Sequence, residues 1–443
     1  MKKREIIEGV IKDYDFPNKG SFELDGKKVI VKGALPGQKV SCMVSKVRKD
    51  KAEARLLDVL ERSEIEDAVP PCPQFGICGG CAYQTMSYEH QLELKAGQVK
   101  KLLDGVIDSE THPYDWEGII GSPVTTAYRN KMEYSFGDEY KDGPLVLGLH
   151  KKNSMYDIVP VCNCVIVSED YNRIVSYTME FAREHGLSYH KKMQHVGLLR
   201  HLVLRQSKTN GGLLVNLVTS TDGLENLDLN AYVDGLLALP LDGTIIGILH
   251  TANDSLADAV VPEKVTLLYG RDYIEEEVLG LHFQISPFSF FQTNTKSAER
   301  LYSKAREYAG DTKDKLIFDL YSGTVTIAQM LSKVIGVEIV EEAVEATREN
   351  AKSNGLDNCE FIAGDVLKVI DTIEEKPDLI ILDPPRDGIN PKALLKIINY
   401  GVDEIVYISC KPTSLARDLE TIIRRGYHVD KVCCVDQFPR TSH

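Results

Sequence analysis

Apolar and polar positions alternate in short runs over residues 6–60, and the runs break at Asp25-Gly26, Pro36-Gly37 and Asp50-Lys51. Period-two alternation between such turn signals predicts a small β-barrel over residues 1–61. Leu92, Ala96, Val99 and Leu103 recur at the spacing of one helix face, so an amphipathic helix is expected over 85–105. Strand-like runs at 145–149, 202–204, 213–218 and 244–249 surround a helical period at 174–185. That mixture predicts an α+β unit over 62–275, with the helix at 85–105 free to pack on whatever follows. From residue 276 the pattern changes. Helical periods at 297–308 and 343–353 alternate with apolar runs at 316–320, 334–338, 360–362 and 379–383. Such alternation predicts a doubly wound, Rossmann-like parallel α/β sheet over 276–443.

A chain of 443 residues is too long for one core, in keeping with two to three domains. No window approaches the ~18 uninterrupted apolar residues of a membrane span. The basic start Met1-Lys2-Lys3-Arg4 leads into acidic residues and not into an apolar signal core. A cytoplasmic, membrane-free and monomeric protein is expected. The net charge of −14 argues against a polyanionic partner until its distribution is counted. Residues 1–60 hold 14 Lys+Arg against 9 Asp+Glu, and residues 186–210 hold five bases, three histidines and no acid. Residues 221–280 hold 12 acids and 2 bases. The acidity is concentrated away from the two basic stretches, which leaves them free to meet nucleic acid.

Residues 407–418 read Tyr-Ile-Ser-Cys-Lys-Pro-Thr-Ser-Leu-Ala-Arg-Asp, following Asp383-Pro384-Pro385-Arg386-Asp387-Gly388 by some two dozen residues. The apolar run Ile405 to Ile408 should be a buried strand ended by Pro412, which places Cys410 at its carboxyl end. Ligands of open α/β sheets bind at that edge. Lys411 and Arg417 beside the thiol are expected to draw it towards the thiolate, while a buried structural cysteine is the competing interpretation. Upstream, Phe318-Asp319-Leu320-Tyr321-Ser322-Gly323 is a strand running into a tight turn, where the backbone must approach a bound nucleoside closely. Glu338 ends the next strand, where an acid can accept ribose hydroxyls, and Asp365 and Asp383 end the following two.

Ten cysteines in a chain of this kind point to reduced, metal-bound or catalytic thiols. Cys72, Cys78 and Cys81 lie on a loop rich in Gly and Pro, and Cys162 or Cys164 could supply a fourth ligand. Four thiolates suit an iron–sulfur cluster or zinc.

With Phe291-Gln292-Thr293-Asn294, the turn from Asp319, Gly336-Val337-Glu338, Asp383-Pro384-Pro385-Arg386 and Ser409-Cys410 together, the chain resembles, over nearly its full length, the RNA uracil-5-methyltransferases that use S-adenosylmethionine. The resemblance implies that Gln292, Tyr321, Glu338 and Asp383 contact S-adenosylmethionine and that Cys410 is the nucleophile. It implies a [4Fe-4S] cluster on Cys72, Cys78, Cys81 and, as the better match, Cys164, with zinc as the alternative. The N-terminal barrel resembles a TRAM domain, an RNA-binding module. Barrel and cluster together fit the branch acting on 23S ribosomal RNA better than the transfer-RNA branch. A non-catalytic RNA-binding homologue is the alternative of a different class. By the same resemblance the segments 128–131 and 197–205 face RNA. Tyr83 and Phe75 are candidates for stacking on bases, with core packing as the equal alternative.

Two departures from the family pattern set an expectation of impaired activity. Val325 stands where the family commonly has glycine, and a β-branched residue there is expected to weaken donor binding. The glutamate that serves the family as proton-abstracting base follows the Phe438 to His443 motif and has no counterpart in residues 1–443.

Overall fold

The computed structural model describes residues 1–322 and 333–443. The first sixty residues form a six-stranded sheet in the order Ile6–Val10, Lys39–Val47, Lys51–Glu61, Lys27–Lys32, Lys19–Leu24, Asp13–Asp15. Its two edge strands are joined by only Ile11-Lys12, so the sheet must roll up on itself. The rolled interior holds Ile7, Ile11, Phe22, Val29, Val31, Val40 and Val44. Gly9 shows why the seam closes: a Cβ there would stand 2.3 Å from the Phe22 ring.

The second sheet has seven strands, ordered Ile158–Pro160, Leu145–His150, Lys131–Asp138, Leu199–Gln206, Gly212–Thr219, Thr244–Ala252, Lys264–Gly270. Helices Glu169–Glu184 and Leu229–Leu237 cover one face, with Ile174, Tyr232 and Leu236 packed on Leu202, Leu204, Val215 and Leu217. Leu214 and Leu249 point the other way, into a core shared with the hairpin Ile274–Val278/Leu281–Ile285 and the helix Thr295–Ala309. Residues 199–206 and 212–219 are therefore buried throughout, as the near-continuous apolar sequence of 212–219 requires, while 199–206 buries Arg200, His201 and Arg205 as well.

The third sheet is fully parallel in the order Cys359–Ala363, Lys333–Glu338, Leu316–Leu320, Leu379–Leu382, Glu404–Tyr407. The chain builds outward from Leu316–Leu320 in both directions, so the strand order reverses between that strand and Leu379–Leu382. Such switch points open a ligand crevice at the carboxyl ends of the strands. The helix Tyr88–Asp104 packs here: Leu103, with Ile107 just beyond it, joins the core of Ile380, Leu382, Ile397 and Ile422.

Two pairings of high sequence separation bind these parts. Lys431–Val435 runs parallel to Asp115–Ile120. Beyond it, Asp436 is 2% exposed and receives Lys95 Nζ at 2.7 Å and the Tyr88 hydroxyl at 2.9 Å. The Tyr88 hydroxyl in turn accepts from Ser122 N–H, and Lys95 also reaches Phe438 O. Burial pulls the Lys95 ammonium below its ordinary pKa, and the Asp436 carboxylate opposes that pull. No helix among the described residues is long and apolar enough to cross a membrane.

Removing one partner of this pair leaves a buried charge alone. Lys95→Met is therefore expected to lower unfolding free energy by about 3–5 kcal/mol, and Lys95→Met with Asp436→Leu to recover much of that loss. Denaturant midpoints of the two variants test this; a single variant as stable as the parent would contradict it.

Candidate active site

Each strand of the parallel sheet delivers one residue to the crevice. Leu316–Leu320 ends in Tyr321, which takes the left-handed conformation (φ 68°) while its N–H and that of Ser322 donate to Val337 O at 3.0 and 3.2 Å. A bulky residue in that region is strained, and such strain clusters at functional sites. Lys333–Glu338 ends in the half-buried Glu338, whose Oε1 accepts from Val340 N–H. Asp365 caps the short helix Val366–Val369 by accepting from Leu367 N–H. Leu379–Leu382 delivers Asp383, with its N–H on Leu320 O at 3.2 Å. Val325 lies outside the described residues.

Glu404–Tyr407 leads to Cys410, which is exposed at the edge adjoining Asp383. Burial of its carboxyl end pushes Asp383 up to about 7. The Cys410 thiol is also raised, first by burial of the sulfur and then by the Asp383 charge, and Arg386 lowers it through its charge and a hydrogen bond. Asp383 and Arg386 thus both act on the Cys410 sulfur, at the carboxyl edge of neighbouring strands.

The expectation for Lys411 and Arg417 is corrected at this point. Arg417 turns to Asp418 and to Asp387 O, and Lys411 lies 3.8 Å from Asp387 Oδ1. Asp418 and Asp387 thus engage both cations, and neither is among the main influences on the thiol. Arg386 is, and the only sequence signal for it is its place after Asp383-Pro384-Pro385. Asp418 has no sequence signal for its role. Its Oδ2 accepts from Ile389 N–H and the Tyr407 hydroxyl, at 2.8 and 2.7 Å, which fastens the loop after Asp383 to the helix Pro412–Arg424 after Cys410.

Gln292 is half-buried on the loop before the helix Thr295–Ala309, its carbonyl held by Asn130 Nδ2 at 2.9 Å. The structure brings the remaining sequence-selected cysteines together as follows. Burial raises Cys81 to about 11, with Cys78 and Cys72 adding to the rise. Cys164 is raised to about 12 by burial, with Cys81, Cys72 and Cys78 contributing. Gly80 N–H donates to Cys78 Sγ at 3.4 Å. Cys162 is exposed, next to Asn163. Among the described residues these side chains do not close into a ready-made metal cage.

The expected RNA-facing segment 197–205 is corrected too, whereas Arg129 and Lys131 of segment 128–131 stay half-buried. Arg200, His201 and Arg205 are buried; Arg200 clamps the carbonyls of Asn253, Ser255 and Ala257. Tyr128 is buried with its hydroxyl on Pro439 O, and Tyr83 is fully buried against Tyr14. Backbone carbonyls and core packing consume these groups before any ligand could.

A doubly wound sheet with acidic strand ends at its switch point and an exposed thiol one strand away defines a ligand-binding α/β domain built for chemistry at that edge. Residues 261–443 match the family described as tRNA (Uracil-5-)-methyltransferase. A Clostridium acetobutylicum protein described as an uncharacterized RNA methyltransferase is 49% identical over all of this chain and 97% of its own length. One from Caldanaerobacter subterraneus, described in the same words, is 48% identical over all of this chain and 98% of its length. The crystal structure of Pyrococcus abyssi tRNA (uracil-54, C5)-methyltransferase in complex with S-adenosyl-L-homocysteine is similar at a TM-score of 0.74 and 26% identity, covering 99% of this chain and 98% of that one. The chain belongs to the RNA uracil-5-methyltransferase family.

Because the Asp383 charge raises the neighbouring thiol, Asp383→Asn is expected to speed iodoacetamide labelling of Cys410 by about threefold near pH 8, and Arg386→Gln to slow it. Peptide mass spectrometry reads both rates. The raised carboxyl also links to stability: its contribution is present at low pH and lost as pH rises through about 7. Asp383→Asn should therefore outlast the parent in denaturant above that pH and lose the advantage below about pH 4.

Proposed function

We propose that this chain transfers a methyl group from S-adenosylmethionine to C5 of a uridine in RNA through a covalent adduct between Cys410 and C6. The observation that carries the proposal is the exposed Cys410 thiol beyond the carboxyl end of Glu404–Tyr407, the strand paired with the one that delivers Asp383. C5 of uracil is a weak nucleophile. Addition of the Cys410 thiolate to C6 makes C5 an enolate carbon, which takes the methyl group from the sulfonium and releases S-adenosylhomocysteine. Removal of the C5 proton by a base then restores the ring double bond and expels the thiolate. Gln292, Tyr321, Glu338 and Asp383 are the donor-contacting residues of this proposal. Arg386 is added to them as the cation that holds the thiolate. Since C6 is hidden in a stacked helix, the target nucleotide has to be unstacked into the crevice.

Residues 1–61 are assigned as a TRAM-like RNA-binding barrel, 62–275 as the central domain and 276–443 as the methyltransferase domain. The substrate favoured is 23S ribosomal RNA. Transfer RNA is the second reading, supported by likeness to the Pyrococcus abyssi tRNA (uracil-54, C5)-methyltransferase. Cys72, Cys78, Cys81 and Cys164 are proposed to hold a [4Fe-4S] cluster, with zinc as the alternative. The mutual influence of these four thiols and the Gly80 N–H to sulfur bond fit such a group. When bound, a cluster would tie the loop carrying Cys72, Cys78 and Cys81 to Cys164, a structural role, since methyl transfer requires no electron transfer.

RNA carrying 5-fluorouracil cannot lose the C5 substituent as a proton, so the adduct should accumulate with S-adenosylmethionine as a gel-shifted covalent band. The Cys410→Ala variant should bind the same RNA and give no band; an undiminished band would remove Cys410 from its role. RNA binding with no band from the parent would favour a non-catalytic homologue.

For the cluster, anaerobically purified protein should be brown and carry about four iron atoms. Cys81→Ser and Cys164→Ser should lose them and Cys162→Ser should keep them, as read by iron analysis. Stoichiometric zinc with no colour would favour the alternative.

A further inference from the structure

Arg205 lies on the strand Leu199–Gln206, 1% exposed, and is the largest fully buried side chain among the described residues. Its Nη2 donates to Ser289 O at 2.7 Å, while Nε and Nη1 are enclosed without a partner. Burial holds its pKa down to about 10. Leaving a guanidinium buried with one donor satisfied is costly, and an aliphatic side chain would fill the space at less cost. The residues around it explain what the charge is kept for. Asn130, next to Lys131 in the strand register opposite Arg205, donates from Nδ2 to Gln292 O and to Thr295 Oγ1, both at 2.9 Å. Its N–H reaches Thr293 O at 2.8 Å. Glu276, 1% exposed, accepts from Thr295 Oγ1 and from Lys208 N–H. The segment 289–295 is thus gripped at Ser289, Gln292, Thr293 and Thr295 from the side of the seven-stranded sheet.

We propose that Arg205 and Asn130 are positioning residues for the donor site: they hold the carbonyls of Ser289, Gln292 and Thr293 from behind, so that the Gln292 side chain is presented to the methyl donor. This rests on Gln292 contacting the donor. Arg205 touches neither donor nor RNA. It acts through the loop backbone, where a shift of an ångström at Ser289 moves the amide of Gln292. The alternative is a purely structural role, in which the brace stabilises the junction without tuning the donor site.

Calorimetric titration of the full chain with S-adenosylhomocysteine separates the two, using Arg205→Met, Arg205→Lys, Asn130→Ser, Gln292→Ala and Arg205→Met with Gln292→Ala. Arg205→Met is expected to weaken binding about tenfold, and Arg205→Lys, which keeps a donor for Ser289 O, to weaken it less. The double variant should bind no more weakly than the worse single one, because both changes remove the same contact. Affinity for RNA should stay within about twofold of the parent, whereas a general loosening of the junction would lower both affinities. If Gln292→Ala weakens binding and Arg205→Met does not, the positioning role is overturned. Should Gln292→Ala leave affinity unchanged, the donor-site assignment of Gln292 is what fails. If Arg205→Met does not fold, Arg205→Lys and Asn130→Ser decide by the same criterion.

Discussion

The Asp418 carboxylate is the constraint on which the crevice depends. Buried to 2% exposure, it accepts from Ile389 N–H and the Tyr407 hydroxyl on one oxygen and from Arg417 on the other. It therefore joins the loop after Asp383, the last residue of the adjoining strand and the helix after Cys410. Ser414 Oγ adds a bond to Arg386 O at 2.5 Å. The loop can come this close only because residue 388 is glycine: φ is 75°, and a Cβ would stand 2.4 Å from Arg417 and 2.6 Å from Asp418. Parallel strand pairing puts Asp383 and Cys410 on neighbouring strands, and the Asp418 ties fix how the segments beyond them turn. Loss of that carboxylate would orphan a buried backbone donor and a tyrosine hydroxyl together.

The sequence carried the architecture of the third sheet well, because alternating periods of two kinds leave few topologies. The apolar runs near 316, 334, 360 and 379 became strands, and the strand Glu404–Tyr407 stops three residues short of Cys410. The rolled first sheet was also legible, from its turn signals. What could not be read was any pairing without a local pattern. Asp115–Ile120 with Lys431–Val435 is a two-stranded parallel contact across the length of the chain, and Lys95 with Asp436 spans 341 residues. A lysine on a helix face reads as solvated, and only the return of the chain buries it.

Charge was the least legible property, for a physical reason. A basic residue in a sequence has no address: Arg200, Arg205 and Arg417 look alike, yet each is consumed by a different partner. Arg200 spends its donors on three carbonyls, Arg205 braces a loop, and Arg417 serves Asp418. The strand carrying Arg200 and Arg205 is buried on both faces, so its long cations terminate mainly on backbone carbonyls. Arg386, which does face the sulfur, sits on the one loop that Asp418 pins open.

Two acids of unequal kind meet in the crevice, and their titrations oppose one another. A negative Asp383 raises the Cys410 thiol, so the carboxyl ionises first and the thiolate has to form against its charge. The pair thus carries one negative charge more readily than two, and Arg386 eases the second ionisation, on sulfur. If the donor proposed for this crevice enters, its sulfonium adds a second positive charge beside the pair. Coulomb attraction then acts on whichever group is ionised, and it favours the state with more negative charge near the sulfonium. Donor binding would in this way lower the cost of a thiolate before the base is attacked, which couples the readiness of the nucleophile to the presence of the methyl group it serves.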